Sequence, residues 1–149
     1  MNAKPILIAE DSDDDIVFVK RACRGGRVVN PLQIVTDGEQ AICYLKGEGK
    51  YSDREKFPCP VVLFLDLKLP RISGYEILAF LQSSPEHRNL PVIVLSVISD
   101  WKLVALAYEK GANSFLVKPV GISDLMNTLR GVKHLTLRSV TDGDCIEAD

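Results

Sequence analysis

No apolar stretch of this chain approaches the roughly 20 residues needed to span a bilayer, so no membrane-crossing helix is expected. Charge of one sign is also missing. Eighteen basic and 20 acidic residues leave a net −2, and no global field points to direct DNA binding or an anionic membrane. The four cysteines, Cys23, Cys43, Cys59 and Cys145, make no C-x-x-C pair and no metal-ligand spacing. Cys23 and Cys43 fall on apolar helix positions and read as small buried hydrophobes. Met1 to Pro5 leads straight into an apolar segment and leaves no room for a signal peptide, so a reducing cytoplasm is the expected setting. No internal repeat, G-x-x-x-x-G-K-[ST] loop or G-x-S-x-G elbow occurs, which disfavours P-loop and α/β-hydrolase chemistry. At 149 residues the chain is one domain.

What is present is a set of five short, strongly apolar runs. Ile6 to Ala9 ends on Glu10-Asp11, and Val61 to Leu65 ends on Asp66. Val92 to Leu95 ends on Ser96, and Phe115 to Val117 ends on Lys118-Pro119; Leu32 to Val35 is the fifth run. Runs this short and this rich in branched residues read as strands buried on both faces, as in a parallel sheet.

Helical patterns lie between them. Ser12 to Asp15 places a cap and acids ahead of Ile16, Val19, Ala22 and Cys23, and Gly25-Gly26 ends that helix. Asp37-Gly38 starts a second helix with Ala41, Ile42 and Leu45 inward. A third follows Gly74, with Ile77, Leu78 and Leu81 as its core stripe, and stops near Pro85. A fourth runs from about Asp100 to Lys110, and a fifth after Gly121 buries Leu125, Leu129 and Val132. Strand and helix alternating five times predict a doubly wound α/β fold, (βα)5, with the flavodoxin-like parallel order 2-1-3-4-5.

Two segments break the rhythm. Lys46 to Pro60 is a long charged connection, and its run Lys50, Arg54, Glu55 and Lys56 reads as a solvated loop. The domain is expected to span residues 1–134, with 135–149 an acidic, flexible tail. His87 and His134 stand alone and read as surface residues, while Trp101 suits either a partner surface or the core.

In an open parallel sheet, ligands bind at the carboxyl ends of the strands. There the polar residues that close four runs converge: Glu10, Asp11, Asp66, Ser96 and Lys118. Acids before a helix are ordinary complements to its dipole, so Glu10-Asp11 alone says little. Asp66, closing five buried apolar residues, needs a partner, and hard cations such as Mg²⁺ take carboxylate oxygens. Three carboxylates, a hydroxyl and an ammonium can hold a divalent metal and a phosphoryl group together.

The stretches IAEDS (8–12), FLDLKLPRISG (64–74), VIVLS (92–96) and GANSFLVKP (111–119), in this order, resemble the receiver domain of bacterial two-component response regulators over residues 4–134. The long connection and lone-domain length look most like the small regulators paired with cyanobacterial and bacterial phytochromes. The resemblance implies a stand-alone signalling protein, not an enzyme beyond slow autophosphotransfer and autodephosphorylation. Asp66 becomes the phosphoacceptor for a sensor histidine kinase and carries a 4-aspartylphosphate. Mg²⁺ is bound by Asp11, Asp66 and the Lys68 carbonyl, with Glu10 acting through a water. Lys118 and Ser96 contact the phosphoryl oxygens, and Ser96 with Phe115 forms the switch that a downstream protein reads. Homodimerisation on phosphorylation suits a domain without an effector.

Several positions depart from the commonest receiver pattern. Glu10 stands for aspartate, Ser96 for threonine and Phe115 for tyrosine, while Val97, Ile98 and Lys68 flank the site where small or polar residues are usual. Those three favour a slow, long-lived phosphorylated form. The competing readings are a receiver-shaped interaction module without phosphoryl turnover and an aspartate-based phosphatase. The second expects an acid two residues after Asp66, where Lys68 stands.

Overall fold

The structure, a computed structural model, describes residues 4–97, 101–132, 135–138 and 145–148, with side chains described up to Val132. Strands β1 (Ile6–Ala9), β2 (Leu32–Val35), β3 (Val62–Asp66), β4 (Val92–Ser96) and β5 (Ser114–Val117) form one parallel sheet in the order 2-1-3-4-5. Helices α1 (Asp13–Gly25), α2 (Gly38–Lys46), α3 (Gly74–Ser83), α4 (Trp101–Glu109) and α5 (Ile122–Leu129) connect and flank them. Alternation along each strand builds two cores. Leu7, Ala9, Leu63, Leu65 and Val94 pack with Ala41, Tyr44, Leu45, Ile77, Leu78 and Leu81. On the other face, Ile6, Ile8, Val62, Phe64, Ile93 and Leu95 pack with Val19, Ala22, Cys23, Leu125 and Leu129. Both faces are covered, which is why β1, β3 and β4 read as unbroken apolar runs.

The caps set where each helix begins at the carboxyl edge. Ser12 Oγ accepts from Asp15 N, Asp37 Oδ1 accepts from Gln40 N, and Ser73 with Glu76 forms a full capping box. The segment after β3 lies tightly on the site. A side chain at Gly74 would come within 2.6 Å of Leu67 Cα and 2.7 Å of the Asp66 carbonyl oxygen, so the position needs glycine. That loop also presses on the start of α2. Gly38 N donates to Pro70 O at 3.1 Å, and a Cβ at Gly38 would overlap the Ile72 carbonyl. Arg71, in a left-handed conformation (φ 70°), reaches Asp37 at 3.7 Å and Glu39 at 3.3 Å.

Three sequence expectations change. The Lys46–Pro60 connection is not simply a solvated loop: a 3-10 turn at Gly49–Tyr51 leads into a cluster of Tyr44, Tyr51 and Phe57 with ring centroids 5.0–6.0 Å apart. Arg54 lies inside it, donating to the carbonyls of Tyr44 (2.8 Å), Tyr51 (3.3 Å) and Leu45 (3.4 Å). It therefore closes the C-terminus of α2, where orphan carbonyls favour a cation. His87 is no free surface residue either; its Nε2 meets Leu45 O at 2.9 Å and its Nδ1 meets Ser84 Oγ at 2.7 Å. Within the expected tail, β6 (Leu135–Arg138) and β7 (Cys145–Ala148) pair antiparallel, each strand too short for periodicity to reveal. His134 and Ile98 lie outside the described residues.

Smaller differences follow from shape. Ile42 and Cys43 are only partly buried, and Tyr44 takes the fully buried place, its hydroxyl donating to Pro58 O at 2.9 Å. Cys23 is buried, and burial pushes its thiol pKa up to about 12, so it stays an inert apolar filler. Trp101 is 75% exposed and belongs to the surface. No described helix is long and apolar enough to cross a membrane.

Candidate functional site

Four strand ends meet at one edge. Parallel register sets Ala9 beside Leu65 and Asp66 beside Leu95, so Glu10, Asp66 and Ser96 follow one another across neighbouring strands. Between β4 and β5, Ser96 pairs with Val117, and Lys118 N donates to Ser96 O at 2.8 Å. The Lys118-Pro119 bond is cis. Glu10, Asp66 and Ser96 are buried, and Asp11 is exposed at the mouth.

Lys118 is the hub. Its ammonium lies 2.6 Å from Glu10 Oε2, 3.0 Å from Asp15 Oδ2 and 3.1 Å from Asp66 Oδ2. The remaining carboxylate oxygens are fixed by backbone: Ser12 N donates to Glu10 Oε1 at 3.1 Å, and Lys68 N donates to Asp66 Oδ1 at 3.0 Å. Burial is the largest influence on Glu10 and raises its pKa from 4.5 to about 7, against the opposing pull of Lys118 and the Ser12 amide. For Lys118, burial alone would lower the pKa. Glu10 and Asp15, aided by the Asp66 charge, outweigh it and hold the ammonium above its ordinary value.

One cation does not match three carboxylates. Glu10, Asp11 and Asp66 each offer an oxygen within 4.8 Å of the others, two of them from buried residues. This all-oxygen donor set, with its excess negative charge, fits a hard divalent cation. The Lys68 side chain is exposed, and its amide already anchors Asp66. Phe115 is half-buried, paired with Val94 and packed on the core that holds Leu65 and Val94.

Glu10, Asp11, Asp66, Lys68, Ser96 and Lys118 thus lie at this edge, and Phe115 lies in the strand leading to it. Asp15 was missed. A third acid in a helix's first turn looks like a dipole complement, and only the fold shows its carboxylate on a lysine 103 residues away.

A doubly wound sheet with an acidic cluster, a buried carboxylate and a strand-end lysine defines a phosphoryl-accepting signalling domain. The response regulator receiver domain family matches residues 6–130, and the chain belongs to that family. Response regulator Rcp1 of Synechocystis sp. is 33% identical over 138 residues, covering 93% of this chain and 92% of Rcp1. Among solved structures, the bacteriophytochrome response regulator RtBRR is 33% identical with a TM-score of 0.82, covering 97% of this chain and 85% of its own. The Mn²⁺-bound form of Rcp1 is 33% identical with a TM-score of 0.71, covering 86% of this chain and 90% of its own. The chain is thus a receiver that accepts a phosphoryl group from a kinase, and it is similar to phytochrome response regulators.

Proposed function

We propose that Asp66 is the phosphoacceptor for a sensor histidine kinase, and that Glu10, Asp11, Asp66 and the Lys68 carbonyl hold Mg²⁺. The observation that carries this reading is the buried Asp66 carboxylate, held by Lys118 at 3.1 Å beside the Glu10-Asp11 pair. Similarity to a bacteriophytochrome response regulator and a cyanobacterial phytochrome response regulator supports a phytochrome kinase as the donor, and such a kinase would act on this protein in the cytoplasm.

An Asp66 carboxylate oxygen forms a bond to phosphorus as the bond from phosphorus to the kinase imidazole nitrogen breaks; that nitrogen keeps the electron pair. When bound, Mg²⁺ neutralises charge on the phosphoryl oxygens. The Lys68 amide holds Asp66 Oδ1, which fixes the carboxylate's direction before attack. The Lys118 ammonium and the Ser96 hydroxyl then take up the phosphoryl oxygens, so positioning and charge balance are the protein's whole contribution. As Ser96 moves toward the phosphoryl group, Phe115 turns into the space released and changes the surface around β5. A downstream protein or a second copy of the chain reads that change. The protein does no chemistry on other substrates, and loss of its own label is slow.

Incubation with acetyl phosphate and Mg²⁺, followed by intact-mass measurement, should add one phosphoryl group to the wild type and none to Asp66→Asn. Equal labelling of both would sink the assignment; no labelling of the wild type would favour the interaction module. For the metal, Mg²⁺ at 100 times its Kd should stabilise by about 2.7 kcal/mol through mass action. Asp11→Ala should remove most of that rise in melting temperature. Melting that ignores millimolar-scale Mg²⁺ would exclude the site.

A further inference from the structure

A lysine ammonium has three N–H bonds to donate, and three carboxylates surround Lys118 Nζ: Glu10 at 2.6 Å, Asp15 at 3.0 Å and Asp66 at 3.1 Å. Two of these, Glu10 and Asp66, also belong to the oxygen cluster that fits a divalent cation; Asp15 does not. Asp15 comes from a different place. It is the third residue of α1, where its amide donates to the Ser12 hydroxyl at 3.3 Å while its carboxylate meets Lys118. That carboxylate is 23% exposed, and the Lys118 side chain it meets is 7% exposed.

The charges make the roles unequal. With a cation on Glu10 and Asp66, their negative charge is shared and the ammonium next to them faces a like charge. A lysine on a flexible stem then leaves for solvent unless another anion holds it. Asp15 is the carboxylate outside the cation cluster that touches Lys118. We propose that Asp15 is a positioning residue of the phosphoryl-transfer site, keeping the Lys118 ammonium over Asp66 once Glu10 and Asp66 engage the cation. The inference rests on the phosphoacceptor reading above. It differs from a dipole role for Asp15, because Asp14 carries the same charge on the same turn and is exposed.

The test compares labelling by acetyl phosphate at saturating Mg²⁺. Asp15→Asn should slow labelling roughly tenfold, the scale of one charge-assisted contact, while Asp14→Asn labels at the wild-type rate. Calorimetric titration of Asp15→Asn with Mg²⁺ alone should give a Kd within about twofold of wild type, since Asp15 is not a metal ligand. In a Lys118→Met background, Asp15→Asn should cause no further slowing, because the residue acts through that lysine. An Asp15→Asn protein that labels at the wild-type rate overturns the proposal. So does an equal loss in Asp14→Asn, a collapse of Mg²⁺ affinity, or a full additive loss in the Lys118→Met background. If the wild type takes no label, the phosphoacceptor reading falls first and this one with it; a labelled wild type with an unchanged Asp15→Asn overturns this one alone.

Discussion

Lys118 and Arg54 are both basic side chains drawn out of solvent, and their surroundings have little in common. Lys118 sits among the carboxylates of Glu10, Asp15 and Asp66. Arg54 sits among neutral groups: the carbonyls of Tyr44, Leu45 and Tyr51, the Cys59 sulfur at 3.3 Å, and the Tyr44 ring with its centroid 5.6 Å from Cζ. Backbone dipoles at a helix end keep their place whatever binds nearby, so Arg54 closes a structure. Carboxylates can be shared with a metal or converted to an acyl phosphate, so the cage around Lys118 is able to change. The planar guanidinium suits several carbonyls at fixed angles, whereas the compact ammonium suits a site where partners move.

The largest expected effect probes the mobile cage. Glu10 has a folded pKa of about 7 against 4.5 for the free side chain, chiefly through burial. Between those values the native state binds more protons than the unfolded state, so stability falls as pH rises through that window. In metal-free buffer the loss from about pH 4.5 to about pH 7 should reach at most about 3 kcal/mol, and Glu10→Gln should flatten it. Urea unfolding across the range checks this; identical slopes in both proteins would show that Glu10 is not strained.

Arg54 should behave in the opposite way. Arg54→Ala removes one partner from each of the Tyr44 and Leu45 carbonyls at the end of α2 and loosens the Tyr44, Tyr51 and Phe57 cluster. Destabilisation of about 2 kcal/mol is expected by urea unfolding, with acetyl phosphate labelling well below the melting temperature unchanged. A variant that folds normally but labels slowly would erase the distinction between the two cations.

The smallest effect concerns how long the altered cage persists. Val97, 64% exposed just after Ser96, and Ile98 next to it offer nothing to orient an attacking water. Val97→Ala combined with Ile98→Glu should speed loss of the phosphoryl label by roughly tenfold, about 1.4 kcal/mol in the barrier. Label decay after removal of the donor measures it, and matched rates would show that other groups set the lifetime.

Much of this was legible in the residues. Buried strands in a parallel sheet are apolar on both faces, so β1, β3 and β4 announced themselves, and their polar closing residues marked the site. Two helix starts were equally plain, because Ser12 and Asp37 cap by local hydrogen bonds that span three residues. The order of the strands followed from alternation and family likeness, and the fold agrees.

What stayed hidden depends on partners distant in the chain. Arg54 looked like one charge in a polar run because its acceptors are backbone carbonyls, which every sequence has and none displays. His87 and Leu45 are 42 residues apart, and Asp15 and Lys118 are 103 apart. The sequence by itself determined the periodic core, the caps and the polar residue at each strand end, since these obey short-range sterics and the segregation of apolar surface from water. Only the tertiary structure decided which carboxylates share the Lys118 ammonium, because that depends on how the fold brings the first turn of α1 to the end of β5 and on the charge each buried group must find nearby.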